Sequence, residues 1–336
     1  MKDILRILKN LNQFCSVSGN EKALLEYVYA QLQPDCDEIY MDTLGNLIVT
    51  IGQGKGETVL FSAHADTIGF IVHCADEEGY IHVAAIGGVC LDILQGRHVV
   101  FSNGIEGVIV KKKMDREKEL DISDFVIDIG VSSKSKAETL VSPGTFCGFY
   151  SDCFMLPNKK RIISAFLDNR INVILQIEVI KAITKIELKN KICFVFSTQE
   201  EVGMRGVGAA VYSICPKYAV SLDVTSCSAP DEKNISMKLD KGACIKIMDK
   251  SIYCHEKMVA FLRQIAEKKK ISYQYDIFTG GGTDAGVIQK SRSGVYTGGI
   301  SIPVRYVHSP CEMVSLNDYE NAKKLVIESI AQGFDF

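Results

Sequence analysis

The sequence predicts an α/β fold: a mixed-sheet α/β/α domain, built from both ends of the chain, that carries a small β-barrel or sandwich as an insert. Three observations predict it. Beyond about residue 164, apolar strand-like runs alternate with helical segments, the rhythm of βαβ units. From about 68 to 163 the texture changes to short β-like runs between Gly- and charge-rich turns. The run TVLFSAHAD is an apolar strand that breaks into His and Asp at its carboxyl end, where open α/β sheets place their chemistry.

The elements follow in order. In MKDILRILKNLNQFC the apolar residues Ile4, Leu5, Ile7, Leu8 and Leu11 recur at helical spacing with charges between them. The segment has no uninterrupted apolar core before a small-residue cleavage site, so it does not read as a signal peptide. Ser18 followed three residues later by Glu21 reads as a capping box opening a helix that runs to about residue 32. Asp42–Asn46 reads as a turn between two short strands. The insert offers β-like runs at 70–73, 80–85, 98–101, 107–110 and 125–129. After it come a helix over 168–187, the strand KICFVFST, a helix near 205–212 and the strand YAVSLDV. The strand-like ACIKIM, a helix near 255–269, the strand SYQYDIF, a helix from about 284 and a final helix from about 317 complete the chain. The division is a discontinuous domain of 1–67 with 164–336 and an insert of 68–163, without long repeats, low-complexity tracts or Pro-rich linkers.

Composition narrows the function classes. With 336 residues, 47% hydrophobic and 24% charged, the chain is ordinary globular material. A formal net charge of -3 and the lack of any basic, aromatic-interleaved patch argue against a nucleic-acid partner. The runs Lys111-Lys112-Lys113 and Lys268-Lys269-Lys270 read as solvated turns or helix ends. No apolar run reaches the roughly 18–20 residues of a membrane span, so no membrane partner is expected and the reading is a soluble cytoplasmic protein. Twelve cysteines are scattered without a C-x-x-C pair. Many, such as Cys193 in KICFVF, read as reduced, buried small hydrophobes, with a catalytic cysteine as the alternative.

Five polar clusters interrupt apolar segments: His64-Ala65-Asp66, Asp168-Asn169-Arg170, Glu200-Glu201, Asp223 and His308-Ser309-Pro310. Four lie at or just past the end of an expected strand: His64, Glu200, Asp223 and His308, the last after the short run PVRYV. Asp168 opens the long helix. Strand ends of a parallel sheet meet along one edge, so these side chains can converge. Imidazoles with carboxylates suit two borderline ions such as Zn, Co or Mn. Two ions about 3.5–4 Å apart lower the pKa of a shared water and polarise a carbonyl together. A second glutamate beside a ligand is placed to act as general base, and His-x-Asp offers a carboxylate that can orient the imidazole. Taken singly each cluster is weak: a strand-end His, a solvated Glu-Glu pair or a turn Asp is common. The joint pattern carries the reading.

AHAD, FLDNR, TQEEVGMRG, LDVT, GGGTDAG and PVRYVHSP, in this order and at these separations, resemble the tetrahedral (TET) and glutamyl aminopeptidase family of dinuclear metallo-aminopeptidases. The resemblance covers nearly the whole chain, including FVIDIGVSSK in the insert. It implies a zinc-peptidase α/β/α domain with a PDZ-like dimerisation insert. It implies His64 and Asp223 on one metal, Glu201 and His308 on the other, and Asp168 bridging them. Glu200 would be the general base that moves a proton from the attacking water to the leaving amine, and Asp66 would orient His64. Gly281, Gly282 and Thr283, in a loop that lacks the ending of a phosphate loop, would line the substrate site, with Thr283 a plausible helix N-cap. The resemblance also implies short peptide substrates and dimers assembling into a tetrahedral dodecamer. The chain departs from the family pattern in Thr67 after His-x-Asp, in TSCSAPDEK after Asp223 and in KKKMDREKEL in the insert, which removes no ligand but touches the side-chain preference and the affinity of one metal. Arg305 reads as a packing or ion-pair residue. Two rivals stay open: a deacylase or carboxypeptidase of the same superfamily, and a metal-free assembly scaffold. No distinctive paired-carboxylate glycosidase motif supports an endoglucanase.

Overall fold

The computed structural model describes residues 2–112, 119–230 and 234–336. Lys113, the 113–118 part of KKKMDREKEL and residues 231–233 of the loop after Asp223 lie outside them. The described chain runs α1 (Lys2–Leu11), α2 (Lys22–Leu32), β1 (Glu38–Met41), β2 (Leu47–Ile51), β3 (Gly56–His64), β4 (Gly69–Ala75), β5 (Ile81–Ile86), β6 (His98–Phe101), β7 (Glu106–Lys111) and β8 (Phe125–Asp128). It continues with α3 (Lys134–Leu140), β9 (Phe146–Phe149), β10 (Phe154–Met155), β11 (Arg161–Ser164), α4 (Leu167–Ile183), β12 (Asn190–Ser197), α5 (Arg205–Ile214) and β13 (Tyr218–Ser226). β14 (Ala243–Met248), α6 (Glu256–Lys268), β15 (Tyr273–Ile277), α7 (Ala285–Ile288), β16 (Tyr296–Arg305), β17 (Glu312–Ser315) and α8 (Leu316–Gln332) follow.

One sheet of mixed strand direction, ordered β1-β2-β12-β3-β13-β16-β17-β11-β10, organises the α/β part, and β14 and β15 branch from β16. Its centre is parallel: β12 with β3, β3 with β13, and β13 with β16. Side-chain alternation makes three layers. Val59, Phe61 and Ala63 of β3 pack on the face shared with α1, α2, α4 and α8, whereas Leu60 joins Val207, Ala210 and Val211 of α5 on the other. β4, β5, β8, β7, β6 and β9 close into an antiparallel barrel around Phe70, Phe101, Phe125 and Ile127. Closure removes its free strand edges.

Several expectations shift. The texture of the sequence groups 154–163 with the insert, but β10 and β11 pair into the large sheet through β17. β16 is a ten-residue strand, longer than PVRYV alone implies, because its buried first half, YTGGIS, pairs with β13. The capping box does not form: α2 begins at Lys22, and Glu21 stands at its N-cap without a side-chain cap bond. Ser18 and Glu21 are committed elsewhere, Ser18 Oγ donating to Asp66 Oδ2 at 2.6 Å and Glu21 Oε1 accepting from the Gly19 and Gln199 amides. None of the twelve cysteines is in a disulfide; Cys147, Cys153, Cys193, Cys227 and Cys244 are buried, but Cys90, Cys215 and Cys311 sit exposed outside helices and strands. Among the described residues, no helix is long and apolar enough to cross a membrane.

Phe61 is fully buried, its ring 5.5 Å from Phe194 and 6.2 Å from Phe334. Phe61→Ala is expected to cost about 3–5 kcal/mol of stability, read as a lowered urea midpoint with unchanged m-value.

Candidate metal and active site

The parallel centre of the sheet brings the polar clusters together. β3 and β13 stay paired up to Ser62 and Ser221, and their paired register ends there. His64 and Asp223 lie just beyond that last pair, at the mouth of the crevice between the two strands. Asp223 is thus inside β13 rather than past its end, while His64 is the last residue of β3. Glu200 and Glu201 follow β12 and His308 follows β16, in line with the sequence reading. Asp168 enters from α4, whose first turn is not helical: Asp168 has ψ 100 and its peptide bond to Asn169 is cis. The Asn169 carboxamide donates to Leu222 O at 2.9 Å and so ties that turn to β13 beside Asp223.

The five donors form two triads that share one carboxylate: His64, Asp168 and Asp223, and Asp168, Glu201 and His308. His64 Nε2 lies 3.1 Å from Asp168 Oδ1 and 3.7 Å from Asp223 Oδ1. His308 Nε2 lies 3.4 Å from Asp168 Oδ2 and 3.3 Å from Glu201 Oε2. Two ligand atoms each about 2.0–2.1 Å from a tetrahedral ion stand roughly 3.3 Å apart, so these spacings fit tetrahedral edges. The other imidazole nitrogens settle the polarity. His64 Nδ1 meets the Asp66 main-chain oxygen at 3.1 Å, and His308 Nδ1 meets the Gly88 main-chain oxygen at 3.0 Å. Carbonyl oxygens only accept, so each Nδ1 carries a hydrogen, and each Nε2 faces carboxylate oxygens, either protonated as an imidazolium or with a lone pair free for a cation. That contact is repulsive unless a cation or a proton stands between.

Residues 45–325 match the M42 glutamyl aminopeptidase family. The chain belongs to this family. A relative from Acetivibrio thermocellus is 38% identical over 98% of this chain and 99% of its own. The lysyl aminopeptidase of Pyrococcus furiosus is 31% identical over 95% of this chain and 94% of its own. The solved TET1 peptidase of Pyrococcus horikoshii, which can assemble into a tetrahedron or a large octahedral shell, superposes with a TM-score of 0.87 at 35% identity, covering 98% of each chain.

The electrostatics of this M42 site agree with a cation centre. Burial alone would lower the His64 imidazole, but Asp168, Asp223 and Asp66 hold it well above its usual range. Burial likewise opposes charge on His308, yet Asp168 and Glu201 push it up to about 12. Burial would raise Asp168, and hydrogen bonds from His308 and His64 instead hold it below the usual carboxylate range. Burial pushes Glu200 and Glu201 up, and neighbouring carboxylates add to it. The cluster holds protons where positive charge is wanted.

Asp66 is fully buried beneath the centre. Its Oδ1 lies 3.6 Å from His64 Nδ1, while the same carboxylate accepts the Glu200 amide at 3.0 Å, the Glu201 amide at 3.1 Å and the Ser18 hydroxyl. It therefore holds the Glu200-Glu201 backbone as well as facing the imidazole. Glu200, Gly281, Gly282 and Thr283 line the same cavity of about 460 Å³ as the five donors' open side. Thr283 does not cap a helix: α7 starts after Asp284, and Thr283 Oγ1 donates to Asp249 Oδ2 at 2.9 Å. Arg305 Nε donates to Ser228 O, a structural contact as the sequence implies.

Sequence reasoning missed Ser18, Glu21 and the Gly87-Gly88 corner of the barrel. The adjacent glycines are the one local signal for the last. A Cβ on Gly88 would stand 2.8 Å from His308 Nδ1, and one on Gly87 would meet Ile68 at 2.7 Å and Glu201 Cβ at 3.2 Å. Backbone of the barrel thus presses directly on two donors, and only glycine permits the approach. Gly88→Ala is expected to displace the His308 ring and lower Zn²⁺ affinity about 10-fold or more, measured by competition with a chromogenic chelator; wild-type affinity would count against this contact.

Proposed function

We propose that this protein is a metal-dependent aminopeptidase that removes N-terminal residues from short peptides with two divalent ions per subunit. The observation that carries the reading is the pair of imidazole Nε2 atoms aimed at one shared carboxylate, each with its Nδ1 held by a main-chain carbonyl. His64 and Asp223 would hold one ion, Glu201 and His308 the other, and Asp168 both. The nitrogen-and-oxygen donor set suits Zn, Co or Mn. When bound, a pair of divalent ions supplies Lewis acidity, lowering the pKa of water and polarising the scissile carbonyl.

The chain's own residues do the rest. Glu200 lines the cavity beside the donors, and its amide is fixed on Asp66, which aims the carboxylate at the crevice. There it takes a proton from the attacking water and delivers it to the leaving amine nitrogen. The backbone at Gly281 and Gly282, without side chains in the way, would lie along the substrate, and Thr283 is held by Asp249 as one wall. The carboxylates of the centre favour a free α-amine, which directs the reaction to termini.

The barrel insert is proposed as the PDZ-like dimerisation module, with dimers building a closed shell of the kind the TET1 relative forms. For a tetrahedral dodecamer, light scattering after size exclusion is expected to give about 445 kDa from subunits of 37.1 kDa. A strict monomer would reject the assembly.

Glu200→Gln is expected to keep both ions and lose about 10²–10⁴-fold in kcat on aminoacyl-p-nitroanilides. Wild-type turnover by that variant would remove Glu200 from the role. A wild-type protein that hydrolyses N-acyl amino acids and spares aminoacyl-p-nitroanilides would be a deacylase instead.

A further inference from the structure

Glu312 lies four residues past His308, at the first position of β17, and is 2% exposed. It belongs to neither triad. Its Oε2 accepts the main-chain N–H of Asp168 at 2.9 Å, and its Oε1 accepts the main-chain N–H of His308 at 2.8 Å. One side chain therefore joins the backbones of two donors that are 140 positions apart in the chain.

Both backbones need such a tether. Asp168 stands in the non-helical opening of α4, where the first amides of a helix have no carbonyl of their own to meet. His308 has φ 62, in the left-handed region that a non-glycine residue keeps only when its surroundings hold it. A buried carboxylate with its two oxygens on these two amides holds both turns at a fixed separation. The chain between them runs through β12 to β16, and although the Ser164↔Glu312 pairing of β11 with β17 brings both turns to one edge, each turn lies four residues beyond that pair, where the Glu312 carboxylate bridges them. The other triad is tied differently. His64 and Asp223 sit on the adjacent strands β3 and β13, and the Asp168 turn is also anchored there through Asn169 on Leu222 O.

We propose that Glu312 is a positioning residue that sets the spacing of Asp168 and His308, and so the affinity of the Asp168–Glu201–His308 triad for its ion. The His64–Asp168–Asp223 triad, braced by paired strands, depends on it much less. This rests on the reading that both triads bind cations, and the test separates the two.

Metal-free full-length protein is dialysed to equilibrium against Zn²⁺ for wild type, Glu312→Gln and Glu312→Asp, with circular dichroism to monitor the fold. Gln keeps the shape but turns an amide donor toward one of the two N–H groups. Asp is a methylene shorter and cannot span both. In each variant one Zn²⁺ is expected to bind within about 3-fold of wild type and the other about 10–100-fold more weakly. Wild-type affinities for both ions in the variants, or equal weakening of both, would overturn the proposal. Failure of both variants to fold would also overturn it, since Glu312 would then be a general structural residue. If wild type binds no Zn²⁺ at all, the cation reading itself falls, a result distinct from any Glu312 effect.

Discussion

A single carboxylate organises the candidate metal site. Asp168 offers one oxygen to each of two imidazoles whose other nitrogens are already spent on main-chain carbonyls. Their Nε2 atoms then face negative oxygens across little more than 3 Å, in a place that excludes most water. Such an arrangement is stable only around positive charge, because the carboxylates have few other partners at that depth. The remaining polar groups of the site can be understood as the scaffolding of that one demand: Asp66 fixes the Glu200-Glu201 turn, Glu21 fixes the step before it at Gln199, and Ser18 locks Asp66 in place.

The sheet supplies the geometry without distortion at its core. Parallel strands β12, β3, β13 and β16 share a direction, so their carboxyl ends deliver polar residues to one edge while period-two alternation keeps Val59, Phe61, Phe194 and Val220 in the apolar layers. The backbone is also irregular around the site. Gln199, Met204, Tyr306 and His308 all have positive φ without being glycine. These four flank the Glu200-Glu201 pair or the His308 loop, which is where strained backbone is expected to gather in a working site.

Much of this was legible in the sequence because buried polar residues are conspicuous inside apolar runs. AHAD, TQEE, LDVT and RYVHSP each break a strand-like stretch, and the structure brings His64, Glu200, Glu201, Asp223 and His308 together. Their pairing into triads came with the family resemblance, since strand order cannot be read from local pattern. Ser18 and Glu21 misled for a physical reason: S-x-x-E looks the same whether its oxygens meet the helix's own amides or a remote carboxylate. Glu312 and Gly88 left no comparable signal: Glu312 reaches the Asp168 amide 144 positions away, and Gly88 offers its own main-chain oxygen to a ring 220 positions away. The short strands β10, β11 and β17 escaped as well, since two to four residues are too few to show a period.

The contact between Gly88 and His308 changes how the barrel should be regarded as a piece of architecture. An inserted module is usually pictured as cargo: removable, exchangeable, useful for docking. Here its backbone supplies the acceptor that orients the His308 ring. A shortened chain with the two halves of the sheet rejoined across the gap would retain all five donors on paper, yet one imidazole would be at liberty to turn over. Recombination with a foreign barrel would face the same obstacle unless the new corner also began with two adjacent residues lacking side chains.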